Sequence, residues 1–90
     1  MDLDDLLRHY FGTDDPGTLS EREFATGLER LGIAFGVEQE PSRKFALWTL
    51  MDALGVAPLP VEAFEKHREL RAAAEAYLSA AFRLERFSKQ

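Results

Sequence analysis

The residues best suited to chemistry lie close together in the stretch GTDDPGTLSEREF, which begins at Gly12. Asp14, Ser20 and Glu23 supply side-chain oxygens, and oxygen atoms are the ligands that calcium takes in proteins. Calcium needs about six to eight of them, whereas Gly12 and Pro16 stand where two further ligands would be expected. We therefore expect weak calcium binding at most, no other metal and no cofactor.

The spacing within this stretch follows the frame of a calcium loop between two helices. Gly17 falls at the sharp turn, where a residue that tolerates positive φ is favoured, and Glu23 falls at the final ligand position. The frame repeats after 40 residues, since that shift takes Leu19 to Leu59. In the second copy Ala63 replaces the final Glu, so calcium binding there is not expected.

Three segments carry a resemblance to a known family: TLSEREF from residue 18, MDALG from residue 51 and LPVEAF from residue 59. Together they resemble the small two-hand calcium-binding proteins of the EF-hand superfamily, over residues 3 to about 70. The resemblance implies a helical protein that binds other proteins through a hydrophobic surface. It also implies a first loop that binds calcium through backbone carbonyls and Glu23, although Pro16 and a shorter loop depart from that pattern. An unrelated four-helix bundle is the alternative.

Apolar spacing predicts an all-α, EF-hand-like domain of four helices. Gly12 is placed to end the first helix, and Ser20 with Glu23 forms a capping box that starts the second. Gly32 is predicted to stop the second helix, and the third is expected to run from about residue 42 to residue 54.

The fourth helix is expected to begin at Pro60 and to continue without a break to about residue 87. We interpret the chain as one domain with four parts. These are a first helix-loop-helix at 2–32, a connector at 33–41, a second helix-loop-helix at 42–72 and a C-terminal helical extension at 73–88.

Composition excludes several classes of protein. The 90 residues contain no Cys, which excludes disulfides, thiolate metal sites and cysteine nucleophiles. No apolar run is long enough to span a membrane, and the acidic start MDLDDLL is unlike a secretion signal, so we expect a cytoplasmic protein. We find no nucleophile motif, no phosphate-binding Gly loop and no forced acid/base pair, and we therefore expect no enzymatic activity.

The charge is distributed unevenly along the chain. Residues 1–40 hold ten acidic and three basic side chains, whereas residues 41–90 hold six acidic and eight basic ones. This pattern argues against binding to nucleic acid, which requires a basic face. It leaves open an acidic inhibitor or immunity-type protein that masks a basic site on an enzyme. Such a protein would use the acidic residues Asp2, Asp4, Asp5, Asp14, Asp15 and Glu21.

The end of the fourth helix carries large apolar residues beside basic ones. Leu78, Phe82 and Phe87 are the apolar residues, and Arg83 and Arg86 are the basic ones. A long helix in a small domain should overhang the rest, so we expect this end to bind a protein partner or a second copy of the chain. The sequence therefore favours a non-enzymatic interaction or adaptor module, with the acidic inhibitor as the alternative and a calcium sensor as a weaker one.

Overall fold

The secondary structure consists of helices and turns. A computed structural model describes the backbone of residues 2–88 and the side chains of residues 2–80, and it contains no strand in that part of the chain. The all-α class predicted from the sequence is thus confirmed. The chain divides into two compact units, Met1–Ala57 and Pro58–Gln90.

Three helices build the first unit: α1 (Leu3–Phe11), α2 (Glu21–Val37) and α3 (Pro41–Ala53). Each of them packs against the other two. A short 3₁₀ turn, Pro16–Thr18, lies in the connection between α1 and α2. The unit is therefore a three-helix bundle, and its core is formed by the apolar stripes of all three helices.

Both ends of α1 are set by local hydrogen bonding. The Asp2 carboxylate accepts a hydrogen bond of 2.8 Å from the Asp5 N–H, which satisfies one of the free donors of the first turn. At the other end Gly12 has a φ of 75° and its N–H donates to the Arg8 carbonyl. The predicted end of the first helix at Gly12 is confirmed.

The predicted end of the second helix at Gly32 is wrong, because α2 continues to Val37. Leu31 and Phe35 are both buried, and their spacing of four residues extends the apolar stripe by one more turn. The low helix propensity of glycine favours an end at Gly32. Burial of Phe35 stabilises the helix beyond that residue and outweighs this preference. Most of the expected connector at 33–41 is therefore helical.

Helix α3 agrees with its predicted bounds within a residue at each end. Pro41 occupies the first turn, where its missing N–H costs no hydrogen bond, and Gly55 follows the helix with a φ of 77°. The helix buries four large apolar residues: Leu47, Trp48, Leu50 and Met51. It is therefore the most extensively buried helix of the first unit.

The prediction of one unbroken fourth helix is wrong. The second unit contains a short helix α4 (Pro60–Ala63) and a long helix α5 (Arg68–Ser88), which pack against each other. Phe64 leaves the helical conformation, with φ −123° and ψ 46°, and its side chain is buried. Every residue from Val61 to Leu70 tolerates a helix, so tertiary packing overrides local propensity at this point.

The break shortens the C-terminal helix. The 21 residues of α5 correspond to about 31 Å, whereas the unbroken helix expected from the sequence would be about 40 Å long. Pro60 does begin a helix, as predicted, but that helix has only four residues.

Candidate interaction surface

The three residues that are weak candidates for calcium ligands are engaged in local hydrogen bonds. Asp14 accepts a hydrogen bond of 3.0 Å from the Arg8 guanidinium, with which it also forms an ion pair. The Ser20 hydroxyl accepts from the Glu23 N–H at 3.1 Å, and the Glu23 carboxylate accepts from the Ser20 N–H at 3.0 Å. These bonds form the capping box of α2, which confirms that prediction.

The capping box also changes the acidity of Glu23. The hydrogen bond from the Ser20 backbone N–H stabilises the charged carboxylate and lowers the pKa of Glu23, and the Ser20 hydroxyl acts in the same direction. A cation at this position would have to compete with those donors for the same oxygens. Among residues 2–80, no group of three or more His, Asp or Glu side chains is arranged to hold a metal ion.

The turn before α2 also differs from the expected calcium loop. Gly17 lies within the 3₁₀ turn and does not have a positive φ, which only Gly12 and Gly55 have among the described residues. Its N–H donates to the Asp15 side chain, so an aspartate closes the turn. The predicted role of Gly17 at a positive-φ turn is wrong for this reason.

The N-terminus of α3 is capped by its own sequence. The Glu40 carboxylate accepts hydrogen bonds from the Ser42 hydroxyl at 2.6 Å and from the Arg43 N–H at 2.8 Å. The bond from Ser42 contributes most to lowering the pKa of Glu40, and the Arg43 N–H adds to it. This helix end would otherwise attract an anion, but here an internal carboxylate occupies that position.

The C-terminal half of α2 exposes large apolar side chains. Ile33 is 61% exposed and Val37 is 68% exposed, and the spacing of four residues places them on one face of the helix. Sequence reasoning missed this surface because it assigned both residues to a connector. The signal that could have revealed it is the continuing stripe of Leu31 and Phe35 on the opposite side.

Two glycines lie beside these exposed side chains. A Cβ atom added to Gly32 or Gly36 would meet no described atom within 4 Å, so packing within the described part of the chain does not require glycine at either position. Gly27 in the same helix is different, because a Cβ there would overlap the ring of Phe11. Only Gly27 is thus explained by contacts within the bundle.

The exposed face of α2 also carries charges of both signs. We define the outer α2 face by six exposed residues at helical spacing: Arg22, Thr26, Glu29, Arg30, Ile33 and Val37. Glu29 and Arg30 form no ion pair with any described side chain. The outer α2 face is therefore apolar at its C-terminal end and charged at its N-terminal end and centre.

A shallow groove on the first unit is another apolar feature. It is lined in part by Leu19, Phe24 and Leu54. All three are half-buried, and the ring of Phe24 stacks on Phe11 with centroids 5.5 Å apart. Much of this apolar area is already covered within the unit, so the outer α2 face is the stronger candidate for a contact surface.

The C-terminal surface predicted from the sequence lies mostly outside the described side chains. Leu78 is half-buried in α5. The side chains of Phe82, Arg83, Arg86 and Phe87 fall outside the described residues, although the backbone there belongs to α5. Their predicted role in partner binding stays a prediction.

No protein-family model, no curated protein and no solved structure matches this chain. Within the described residues, none of the helices is sufficiently long and apolar to cross a lipid bilayer.

Proposed function

We propose that this chain is a non-enzymatic protein-protein interaction module. The observation that carries the proposal is the exposure of Ile33 and Val37 side by side on a helix. A buried position would stabilise each of these side chains by roughly 1.5 to 3 kcal/mol, so a partner that covers them gains binding free energy. Contiguous exposed apolar surface is characteristic of contact sites.

The scaffold of this module is, in our proposal, EF-hand-like with most calcium ligands lost. Two features support it: the capping box that begins α2 directly after a turn, and Pro60, which begins α4 after Leu59. The side chains of Asp14, Ser20 and Glu23 are engaged in local hydrogen bonds. A scaffold of this kind would present a hydrophobic surface without a calcium switch.

An acidic inhibitor that masks a basic site on an enzyme is the second candidate. Asp2, Asp4 and Asp5 are all exposed around the start of α1, which favours this alternative. The two functions differ in how binding depends on salt. Contacts between exposed charges weaken as the salt concentration rises, whereas apolar contacts do not.

Photo-crosslinking from single positions tests both candidates. A photoreactive amino acid at Ile33, at Asp4 or at the control position Thr18 is introduced into the chain in its source cells, and adducts are identified by mass spectrometry. We expect a specific protein adduct from position 33, including adducts to a second copy, that persists at high salt. The purified partner should then bind an Ile33→Asp variant about tenfold or more weakly.

An adduct from position 4 that disappears at high salt would favour the acidic inhibitor instead. An interaction through the outer α2 face would be ruled out if position 33 gave no adduct, or if the exposed control at Thr18 gave the same adducts in equal yield.

A further inference from the structure

We propose that Lys44 is the positioning residue of the outer α2 face, because its ammonium group, which comes from α3, holds the last turn of α2 helical. This turn ends at Val37 and follows directly after Ile33. The role of Lys44 in binding rests on the proposed interaction function, whereas its effect on the helix can be measured without any partner.

The end of α2 is a weak part of the helix. Gly32 and Gly36 lower helix stability, and packing against the described atoms requires glycine at neither position. Ile33 and Val37 are β-branched, which lowers helix propensity further. The last turn of α2 contains no basic residue that would offset the negative end of the helix dipole, and Glu38 follows it. The local sequence therefore favours an earlier end of the helix.

Lys44 supplies a positive charge to this helix end from the next helix. Its Nζ donates a hydrogen bond of 2.7 Å to the Phe35 carbonyl. The final carbonyls of a helix have no donor within the helix, and an ammonium group suits them both as a donor and as a cation. This hydrogen bond is partly buried, so water competes with it less than at an exposed site.

The same ammonium group also contacts the ring of Phe35. Nζ lies 4.1 Å from the ring centroid, a distance at which a cation–π interaction is favourable. The Phe35 side chain is buried, so the ring belongs to the core of the first unit. Lys44 thus holds both the backbone and the side chain of one residue, which lies between Ile33 and Val37 in the chain.

Loss of this contact should open the last turn of α2 and leave the bundle folded. Leu31 is buried one turn earlier, so the helix should persist up to Gly32. Val37 would then no longer be held beside Ile33 on one face. The apolar end of the outer α2 face therefore depends on a side chain that is not part of α2.

Amide hydrogen exchange followed by NMR tests the effect on the helix. Lys44→Met keeps a long apolar side chain but removes the charge and the donor. The amides of Gly36, Val37 and Glu38 should exchange about tenfold or more faster in this variant, because a hydrogen bond from a charged group contributes that much, while the amides of α1 should be unchanged. Lys44→Arg keeps a cation and donors and should exchange within about threefold of the wild type. Arg43→Met is the matched control, since it removes an exposed cation from the same helix.

A second substitution shows whether faster exchange reports opening of the helix or damage to the core. Gly36→Ala favours the helix, and its Cβ would meet no described atom. When added to Lys44→Met, it should reverse most of the increase in exchange. Exchange that stays fast in the double variant would indicate disturbed core packing and contradict the proposed role of Lys44.

Photo-crosslinking from position 33 then connects the helix end to binding. The yield of the specific adduct should fall about tenfold in Lys44→Met and persist in Lys44→Arg and Arg43→Met. The proposal is overturned if Lys44→Met exchanges like the wild type, if Arg43→Met accelerates exchange equally, or if the opened variant still gives the wild-type adduct yield.

The failure of this proposal and the failure of the interaction function give different results. If position 33 captures nothing in the wild type while Lys44→Met opens the last turn, the effect of Lys44 on the helix stands and the interaction function alone is wrong. If position 33 captures a partner in the wild type and Lys44→Met changes neither exchange nor yield, the interaction function stands and Lys44 has no positioning role.

Discussion

Three glycines in one helix illustrate how differently the same residue can act. Gly27 accommodates the ring of Phe11, which stacks on Phe24, whereas a Cβ at Gly32 or Gly36 would meet none of the described atoms. From the sequence, all three look like weak points of a helix, and Gly32 looks like its end. The sequence could not distinguish them, because the difference lies in a contact with another helix.

Alanine substitutions should reveal this difference in stability. Gly32→Ala and Gly36→Ala should each raise the free energy of unfolding of the monomer by about 0.5 to 1 kcal/mol, since alanine restricts the unfolded chain and favours the helix. Gly27→Ala should lower it by roughly 1 to 3 kcal/mol, because the new methyl group overlaps Phe11. Urea denaturation at low protein concentration measures all three.

A stabilised Gly27→Ala variant would show that Phe11 and α2 do not pack as described. Destabilisation by Gly32→Ala would show instead that an additional part of the chain approaches α2 closely at this position.

Protonation of the Glu40 carboxylate should make the free energy of unfolding depend on pH. Its pKa is lowered in the folded protein by the Ser42 hydroxyl and the Arg43 N–H. A lowered folded pKa means that the carboxylate stabilises the fold at pH values above its ordinary pKa of 4.5, and that this stabilisation is lost as the pH falls through the lower folded value. Unfolding free energies measured between neutral and acidic pH should therefore fall in that window.

Two variants assign the effect to this cap. Glu40→Gln removes the titrating group but retains an acceptor, and Ser42→Ala removes the donor that lowers the pKa most. Both should reduce the loss of stability on acidification. If the pH dependence of both variants equals that of the wild type, the cap does not contribute.

At the scale of elements, the sequence predicted the ends that depend on local chemistry. The capping box of Ser20 and Glu23 and the glycines that follow α1 and α3 all involve residues within a few positions of one another. The extension of α2 and the break after α4 coincide with burial of Phe35 and Phe64, which is a matter of tertiary packing rather than of local helix propensity. Those two features therefore could not be derived from local patterns.

The candidate interaction surface, too, could not be derived from local sequence patterns. The sequence drew attention to Asp14, Ser20 and Glu23, whose types suit calcium, but each of them is committed to a neighbour by hydrogen bonds. The outer α2 face was missed because its recognition requires knowing that residues 33–37 are helical. Residue types alone can suggest candidate functional residues. The backbone conformation decides which side chains are exposed and which are engaged in local hydrogen bonds.

The connection between α1 and α2 should respond little to calcium. Its carboxylates are few and are hydrogen-bonded to Arg8 and Ser20, so we expect no binding tighter than about millimolar. Trp48 is 1% exposed, and its fluorescence reports changes in the core during a calcium titration. Saturation at micromolar calcium that Glu23→Gln abolishes would contradict this expectation and identify a calcium sensor.

At the scale of the whole molecule, acidic and basic side chains are distributed unevenly along the chain. The acidic residues concentrate in residues 1–40, and residues 41–90 carry two more basic than acidic side chains. The outer α2 face combines both kinds of contact on one helix of the first unit. The sequence beyond residue 80 adds a second combination, in which Phe82 and Phe87 stand beside Arg83 and Arg86.

The sequence at the end of α5 predicts a second contact surface. If α5 binds a protein partner through Leu78, Phe82 and Phe87, the contact would be apolar and framed by positive charge, which favours a partner with an acidic rim. Replacing Leu78 and Phe82 together with Ser should remove assembly with that partner and leave most of the helicity intact. Size-exclusion chromatography with light scattering, applied to the chain mixed with a lysate of its source, measures the assembly.

Circular dichroism of the same double variant shows whether Leu78 and Phe82 belong to a contact surface or to the core. Leu78 is only half-buried, so a surface role predicts a melting temperature close to that of the wild type. If the double variant unfolds, Leu78 and Phe82 belong to the core of the second unit. If it stays folded and still assembles, the partner binds elsewhere, and the outer α2 face becomes the surface to test by Ile33→Asp.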